Sequence, residues 1–147
     1  MKKALCLILI LAVMLALCAC GHSAITPEAF ASAMEEKGYE VETADDHFSN
    51  GGTGYVAADS SGSFLVIFGR WDAEDDAVQQ YRIVVNNLDT MGGTSTSVNS
   101  GSFGCTTRNY DGRFFIVSHV GNTFMFGQTS ADQADAMKDL FKSLGYK

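Results

Sequence analysis

Positive charge is what this sequence has least of. Ten Lys and Arg face 17 Asp and Glu, for a formal net charge of −7 at pH 7. Nucleic-acid binding needs clustered positive charge to neutralise phosphates, so that class is excluded. A body lying flat on an anionic bilayer is disfavoured by the same repulsion. Catalytic spacings are missing too. The three His are His22, His47 and His119, and no HxH, HExxH, CxxC or GxSxG pattern occurs. Gly51-Gly52-Thr53-Gly54 lacks the Lys and the following helix that a phosphate-cradling loop requires. An enzyme needs a nucleophile, a base and an orienting group, or a metal cluster. The expectation is therefore a non-enzyme with no metal and no resident cofactor.

Charge is also absent from one long stretch at the start. After Lys2 and Lys3, residues 4–20 carry no charge, Gly or Pro, and Gly21-His22-Ser23 ends the run. A positive start, an apolar middle and small residues at the end describe a secretory signal. The run falls just short of the roughly 18 to 20 residues of a spanning helix. Leu17-Cys18-Ala19-Cys20 closes it. This stretch resembles the lipobox of bacterial lipoproteins, and the chain as a whole resembles the small, mostly uncharacterised lipoproteins of Gram-positive type. The resemblance implies removal of residues 1–19 and lipidation of Cys20 by covalent diacylglycerol and an N-acyl chain. It also implies a mature protein held on the outer face of the cytoplasmic membrane. Cys18 is the poorer acceptor, because bulky Leu17 occupies its −1 position.

That reading empties the chain of cysteine. Cys6 and Cys18 leave with the signal and Cys20 is acylated, so Cys105 alone remains and no intrachain disulfide can form. Lys2 and Lys3 leave as well, which reduces the 10 basic side chains to 8 against the same 17 acids. A mature chain of 128 residues, the full 147 less the first 19, is long enough for one domain with its own core. Residues 20–25 are the lipidated Cys and a short tether, and residues 26–147 are a single α+β domain.

Three helices are marked by caps and stripes. Thr26 is the N-cap, Pro27 the N1 residue and Gly38 the C′ residue of the first, with Phe30, Ala33 and Met34 on one face. Asp72 caps the second, acids at 74–76 fill its first turn, and Ala77, Tyr81, Val84, Val85 and Leu88 form its stripe. That acidic run lacks the alternating ligands and central Gly of a calcium loop. Ser130 and Gln133 form a capping box for the third, which presents Met137, Leu140, Phe141 and Leu144 and ends at Gly145.

Strands are expected at 55–58, 63–70, 102–110, 113–120 and 123–128. The last three form a meander through Asp111-Gly112 and Gly121-Asn122. Residues 89–102, rich in Gly, Ser and Thr, read as a loop with room for a short edge strand near 96–99. The fold class is thus α+β: an antiparallel sheet of about five strands with three helices packed on it.

Two-residue turns fix which residues share a face. Phe103, Cys105, Phe114, Ile116, Ser118, Val120 and Met125 fall on one side of the sheet. Thr106, Arg108, Phe115, Val117, His119, Phe124 and Phe126 fall on the other. Both sides are apolar, so either helices cover both or one is left as a binding surface. Arg108, Phe115, His119, Phe124 and Phe126 are the candidate ligand or partner face. A His and an Arg among aromatics suit a carboxylate or phosphate. A His satisfied locally at a strand is the plainer alternative. The function expected is a membrane-anchored, non-catalytic binding module for an envelope protein, a peptide or a small molecule. The alternative is a structural or accessory subunit of an envelope complex, including a homodimer through the sheet face.

Overall fold

The computed structural model describes residues 22–45, 48 and 50–147. Residues 1–21, on which the expected signal and the lipidation of Cys20 fall, and His47 lie outside the described residues.

The first helix, α1, covers Pro27–Glu36. The Thr26 hydroxyl accepts from the Ala29 N–H at 3.2 Å, and Gly38 takes φ +85° while the Tyr39 N–H closes back on the Met34 carbonyl. Strands β1 (Glu40–Thr43), β2 (Thr53–Ala58) and β3 (Leu65–Arg70) follow, then α2 (Glu74–Thr90). Strands β4 (Thr94–Ser100), β5 (Phe103–Tyr110), β6 (Arg113–Val120) and β7 (Thr123–Ser130) come next, and α3 (Ala134–Ser143) closes the fold. Asp111 and Gly112 take φ +48° and +71° at the β5–β6 turn, which a Gly adopts without a Cβ penalty.

Two caps differ from expectation. Ala73 is the N-cap of α2 and makes no side-chain bond, so Asp72 lies one residue before the cap. A 3-10 turn, Ala131–Gln133, precedes α3, and the Gln133 side chain accepts from the Thr129 hydroxyl at 3.0 Å rather than reaching back to Ser130.

Among the described residues the sheet has seven strands, all antiparallel, in the order β1-β2-β3-β7-β6-β5-β4. This corrects the expectation of about five. The two additional strands are the two edges. β1 is only four residues, and β4 is Thr94-Ser-Thr-Ser-Val-Asn-Ser100 with every residue exposed. Neither buries an alternating apolar face, so neither writes a period-2 signal into the sequence. Each is held as a strand by the neighbour it pairs with.

The helices divide between the faces. α1 and α3 cover one side, where Phe30, Met34, Val66, Phe68, Ile116, Met125, Met137 and Phe141 form the larger core. α2 covers the other over Tyr81, Leu88, Phe115, Val117 and Phe124, with Trp71 at one end. The length of α2 follows from its task. Four strand spacings separate β3 from β4, about 19 Å of sheet, and 17 helical residues rise about 26 Å. Tyr146 inserts behind α3 and bonds the Thr123 hydroxyl; burial pushes its phenol up to about 12.

Candidate binding cleft at His119

The β5–β6–β7 register is the one that two-residue turns impose, with His119 opposite Phe124 and Arg108 opposite Phe115. All five candidate residues therefore share the α2 side of the sheet. Phe115 and Phe124 are buried beneath α2, and Phe126 is half-buried against Phe115 at 6.4 Å between rings. These aromatics are core.

Arg108 and His119 are not brought together. Arg108 lies opposite Phe115, four residues along β6 from His119, about 13 Å away. The Arg108 guanidinium is buried and donates to the Asp89 carboxylate and to the Gly92 carbonyl, both at the end of α2. Its Nε has no partner among the described residues. A helix C-terminus carries partial negative charge, so a cation there is well placed. Arg108 ties β5 to α2 rather than facing a ligand.

His119 sits beneath the first turns of α2. In one rank across three strands, Asn99 pairs with Gly104 and Gly104 with His119. Both flanking side chains lean over the glycine: a Cβ on Gly104 would lie 2.7 Å from Asn99 Oδ1 and 2.7 Å from His119 Nε2. Only a residue without a side chain lets imidazole and carboxamide approach so closely. Tyr81 descends from α2 to complete the group. Its hydroxyl donates to Asn99 Oδ1 at 3.1 Å and lies 2.8 Å from the Thr106 hydroxyl, which in turn lies 2.8 Å from the Ser97 hydroxyl. The Tyr81 and His119 rings meet edge-on at 4.8 Å.

His119 Nδ1 is buried with no hydrogen-bond partner among the described residues. Burial lowers the imidazole pKa; Glu74 opposes that shift and Arg82 adds to it. The side chain is thus a neutral imidazole at pH 7. Beside it opens a cleft of about 400 Å³ lined by Val78, Tyr81, Arg82, Asn99, Phe103 and His119, among others. Arg82 is exposed at its rim and forms no ion pair among the described residues. Sequence reasoning singled out His119 but missed Tyr81, Arg82 and Asn99 as its companions. The one usable signal was Gly104, since a glycine inside a strand marks a close approach.

Other sequence candidates have structural roles. A Cβ on Gly52 would strike Trp71 and Phe48, and one on Gly54 would strike the Phe68 carbonyl and Phe48. Cys105 is buried, and desolvation pushes its thiol up to about 11, far from thiolate character. Among the described residues no group of three or more His, Cys, Asp or Glu is placed to hold a metal ion. No described helix is long and apolar enough to cross a membrane.

No protein-family model matches the chain. No curated protein matches it either. The fold does have a solved counterpart. It is similar to the crystal structure of a GTP binding regulator from Thermotoga maritima, with a TM-score of 0.54, 10% sequence identity, and cover of 82% of this chain and 88% of that one. At that identity the likeness concerns the fold alone.

Proposed function

We propose that this protein is a lipid-anchored, extracytoplasmic, non-catalytic binding module whose ligand occupies the His119 cleft. The carrying observation is a buried, unpartnered imidazole nitrogen beside an open cleft that a cationic side chain rims. Buried polar groups in folded proteins almost always have partners, so the orphan nitrogen of a cleft-lining residue sets this spot apart. Neutral imidazole, the Tyr81 hydroxyl and the Asn99 carboxamide offer hydrogen bonds, while Arg82 offers charge. A small molecule with a carboxylate or phosphate group and a hydrogen-bonding body fits that set. Leu17-Cys18-Ala19-Cys20 supports the anchor. Anchoring takes two acyl chains or more, since one chain alone binds a membrane marginally.

The test is intact mass of the full-length protein made in a bacterial host that processes lipoproteins. Denaturing mass should show loss of residues 1–19 and added diacylglycerol; an unprocessed chain sinks the anchor. Native mass is then followed during titration with inorganic phosphate, succinate and GTP, the last because the fold neighbour is a GTP binding regulator. A bound species that His119→Ala and Arg82→Ala both abolish supports the cleft. Binding unaffected by either substitution refutes it.

The second reading, an accessory subunit of an envelope complex, is favoured by the fully exposed strand β4.

A further inference from the structure

The two edges of the sheet are built differently. β1 is four residues long and carries Glu40 and Glu42, and charge on a short strand is a usual way to keep an edge from pairing. β4 has none of that protection. It is seven residues long, lacks Lys, Glu, Pro and Gly, and pairs with β5 residue for residue from Thr94 to Ser100 without a bulge. All seven residues are exposed. No described strand pairs with its outer side.

The chain around the edge is low in charge as well, and the cations near it include Lys138 and Lys147, which line a cleft beside Thr96 and Val98. Residues 91–107 contain no Asp, Glu, Lys or Arg, in a chain whose net charge is −7. Among the described residues four large hydrophobics are well exposed, and three of them lie in or beside this edge. Val98 lies within β4 at 57% exposure, Met91 just precedes the strand, and Tyr110 follows Asn109, the partner of Thr94.

We infer that β4 pairs with β4 of a second copy, antiparallel about a two-fold axis at Ser97, so that two seven-stranded sheets become one. Full overlap sets Ser97 opposite Ser97, Thr96 opposite Val98, Ser95 opposite Asn99 and Thr94 opposite Ser100. No like charges meet, and Thr opposite Val is a favourable cross-strand pair that covers the exposed valine. An isologous two-fold contact is closed, so it yields a dimer and not a fibre. A peptide from another protein would have to recognise β4 without any charge on the strand itself to fix its register, whereas the strand is complementary to itself.

The strand is about 23 Å long. Pairing along that length, with Met91 and Tyr110 at its ends, buries less than the roughly 800 Å² per partner of a standard interface. Association in dilute solution is therefore modest. On the anchoring proposed above, confinement to a membrane raises the effective concentration and makes a modest contact sufficient.

Cysteine trapping tests the register. Ser97→Cys and Ser95→Cys are introduced separately into the full-length protein, which is oxidised mildly in host membranes and again after release in mild detergent at rising concentration. Cα atoms of directly opposed residues lie about 4.5–5.5 Å apart, within disulfide reach. Ser95 lies about 14 Å from its own counterpart, out of reach. Ser97→Cys should give a disulfide dimer that Ser95→Cys does not, above the background of the unsubstituted chain. Adding Val98→Lys, an exposed site, should return the yield to the Ser95→Cys level. A monomeric Ser97→Cys, equal yields at 95 and 97, or a cross-linked species of another mass overturns the inference. The detergent series reads the edge whether or not Cys20 is lipidated, so failure of the anchor and failure of the edge remain distinguishable.

Discussion

Gly104→Ala probes the arrangement that makes the His119 cleft. The added methyl would lie 2.7 Å from both Asn99 Oδ1 and His119 Nε2, and 2.8 Å from His119 Cδ2. The imidazole is rigid, only 5% exposed and backed by the Tyr81 ring, so it has little room to withdraw. Overpacking of this kind costs about 1–3 kcal/mol. The reduced freedom of the unfolded chain returns about 0.4–1 kcal/mol. The net expectation is a destabilisation of about 1–2 kcal/mol, or roughly 3–6 °C in Tm per kcal/mol for a domain of this size. His119→Ala removes the opposing ring together with its orphan nitrogen, so in that background the same methyl should cost less than about 0.5 kcal/mol, with only Asn99 left to give way. The assay is urea unfolding of wild type, both single variants and the double variant, reading the midpoint at constant m. Equal cost of Gly104→Ala in the two backgrounds would refute the packing argument. So would a stabilising Gly104→Ala with His119 in place.

Two further expectations follow from the buried ionisable groups. Asp89→Asn should destabilise by about 1–2 kcal/mol, the cost of stranding a buried guanidinium, reduced because Asp89 is half-exposed and water can enter. Arg108→Met should be nearly neutral, since it removes the buried charge and its unpartnered Nε together; a larger loss for Arg108→Met than for Asp89→Asn in thermal unfolding would contradict this. His119 has a lowered pKa because of burial, helped by Arg82 and opposed by Glu74. The unfolded state therefore takes up its proton first as pH falls. Stability from this group is fully present above the ordinary His value of about 6.5 and is lost as pH drops toward the folded value, at no more than about 1.4 kcal/mol per pH unit. Unfolding between about pH 5 and 7 should show that slope in wild type and not in His119→Ala; an identical slope in both would remove His119 as its source.

What the sequence displayed was set by how deeply each element is buried. The helix stripes, the continuous apolar run in β3 and the Asp111-Gly112 turn all reflect buried contacts, and these elements stand where pattern put them, although the caps of α2 and α3 differ from those expected. The two edge strands were the least legible for the opposite reason: β1 was not expected, and β4 only as a short strand near 96–99. Glu40-Val41-Glu42-Thr43 and Thr94-Ser-Thr-Ser-Val-Asn-Ser100 bury almost nothing, so their conformation is imposed by β2 and β5. The site was half legible. Periodicity placed His119, Phe115 and Phe124 on one face, but it could not show α2 lying over that face. The Arg108 partner, Asp89, is 19 residues distant and sits at the far end of that helix. Tyr81 read as a helix-stripe residue, and nothing local distinguishes a stripe tyrosine from one whose hydroxyl meets Asn99.

Covering both faces of a sheet with helices from its own chain leaves function to the rims. In this fold the cleft and the open edge are neighbours, joined at Asn99 and Ser100, which line the one and end the other. Asn99 is the second-last residue of β4 and also the acceptor for Tyr81 beside His119. In the two-fold pairing its backbone faces Ser95 of the second copy while its carboxamide remains turned to the cleft. On the two proposals above, a ligand that displaced the Tyr81 hydroxyl from Asn99 would act at the end of the pairing strand. Linkage then requires the effect to run both ways. Whatever factor the ligand applies to dimerisation, dimerisation applies to ligand affinity. A strand that is neutral, unprotected and shared with the proposed ligand cleft would thus make self-association and ligand binding depend on one another.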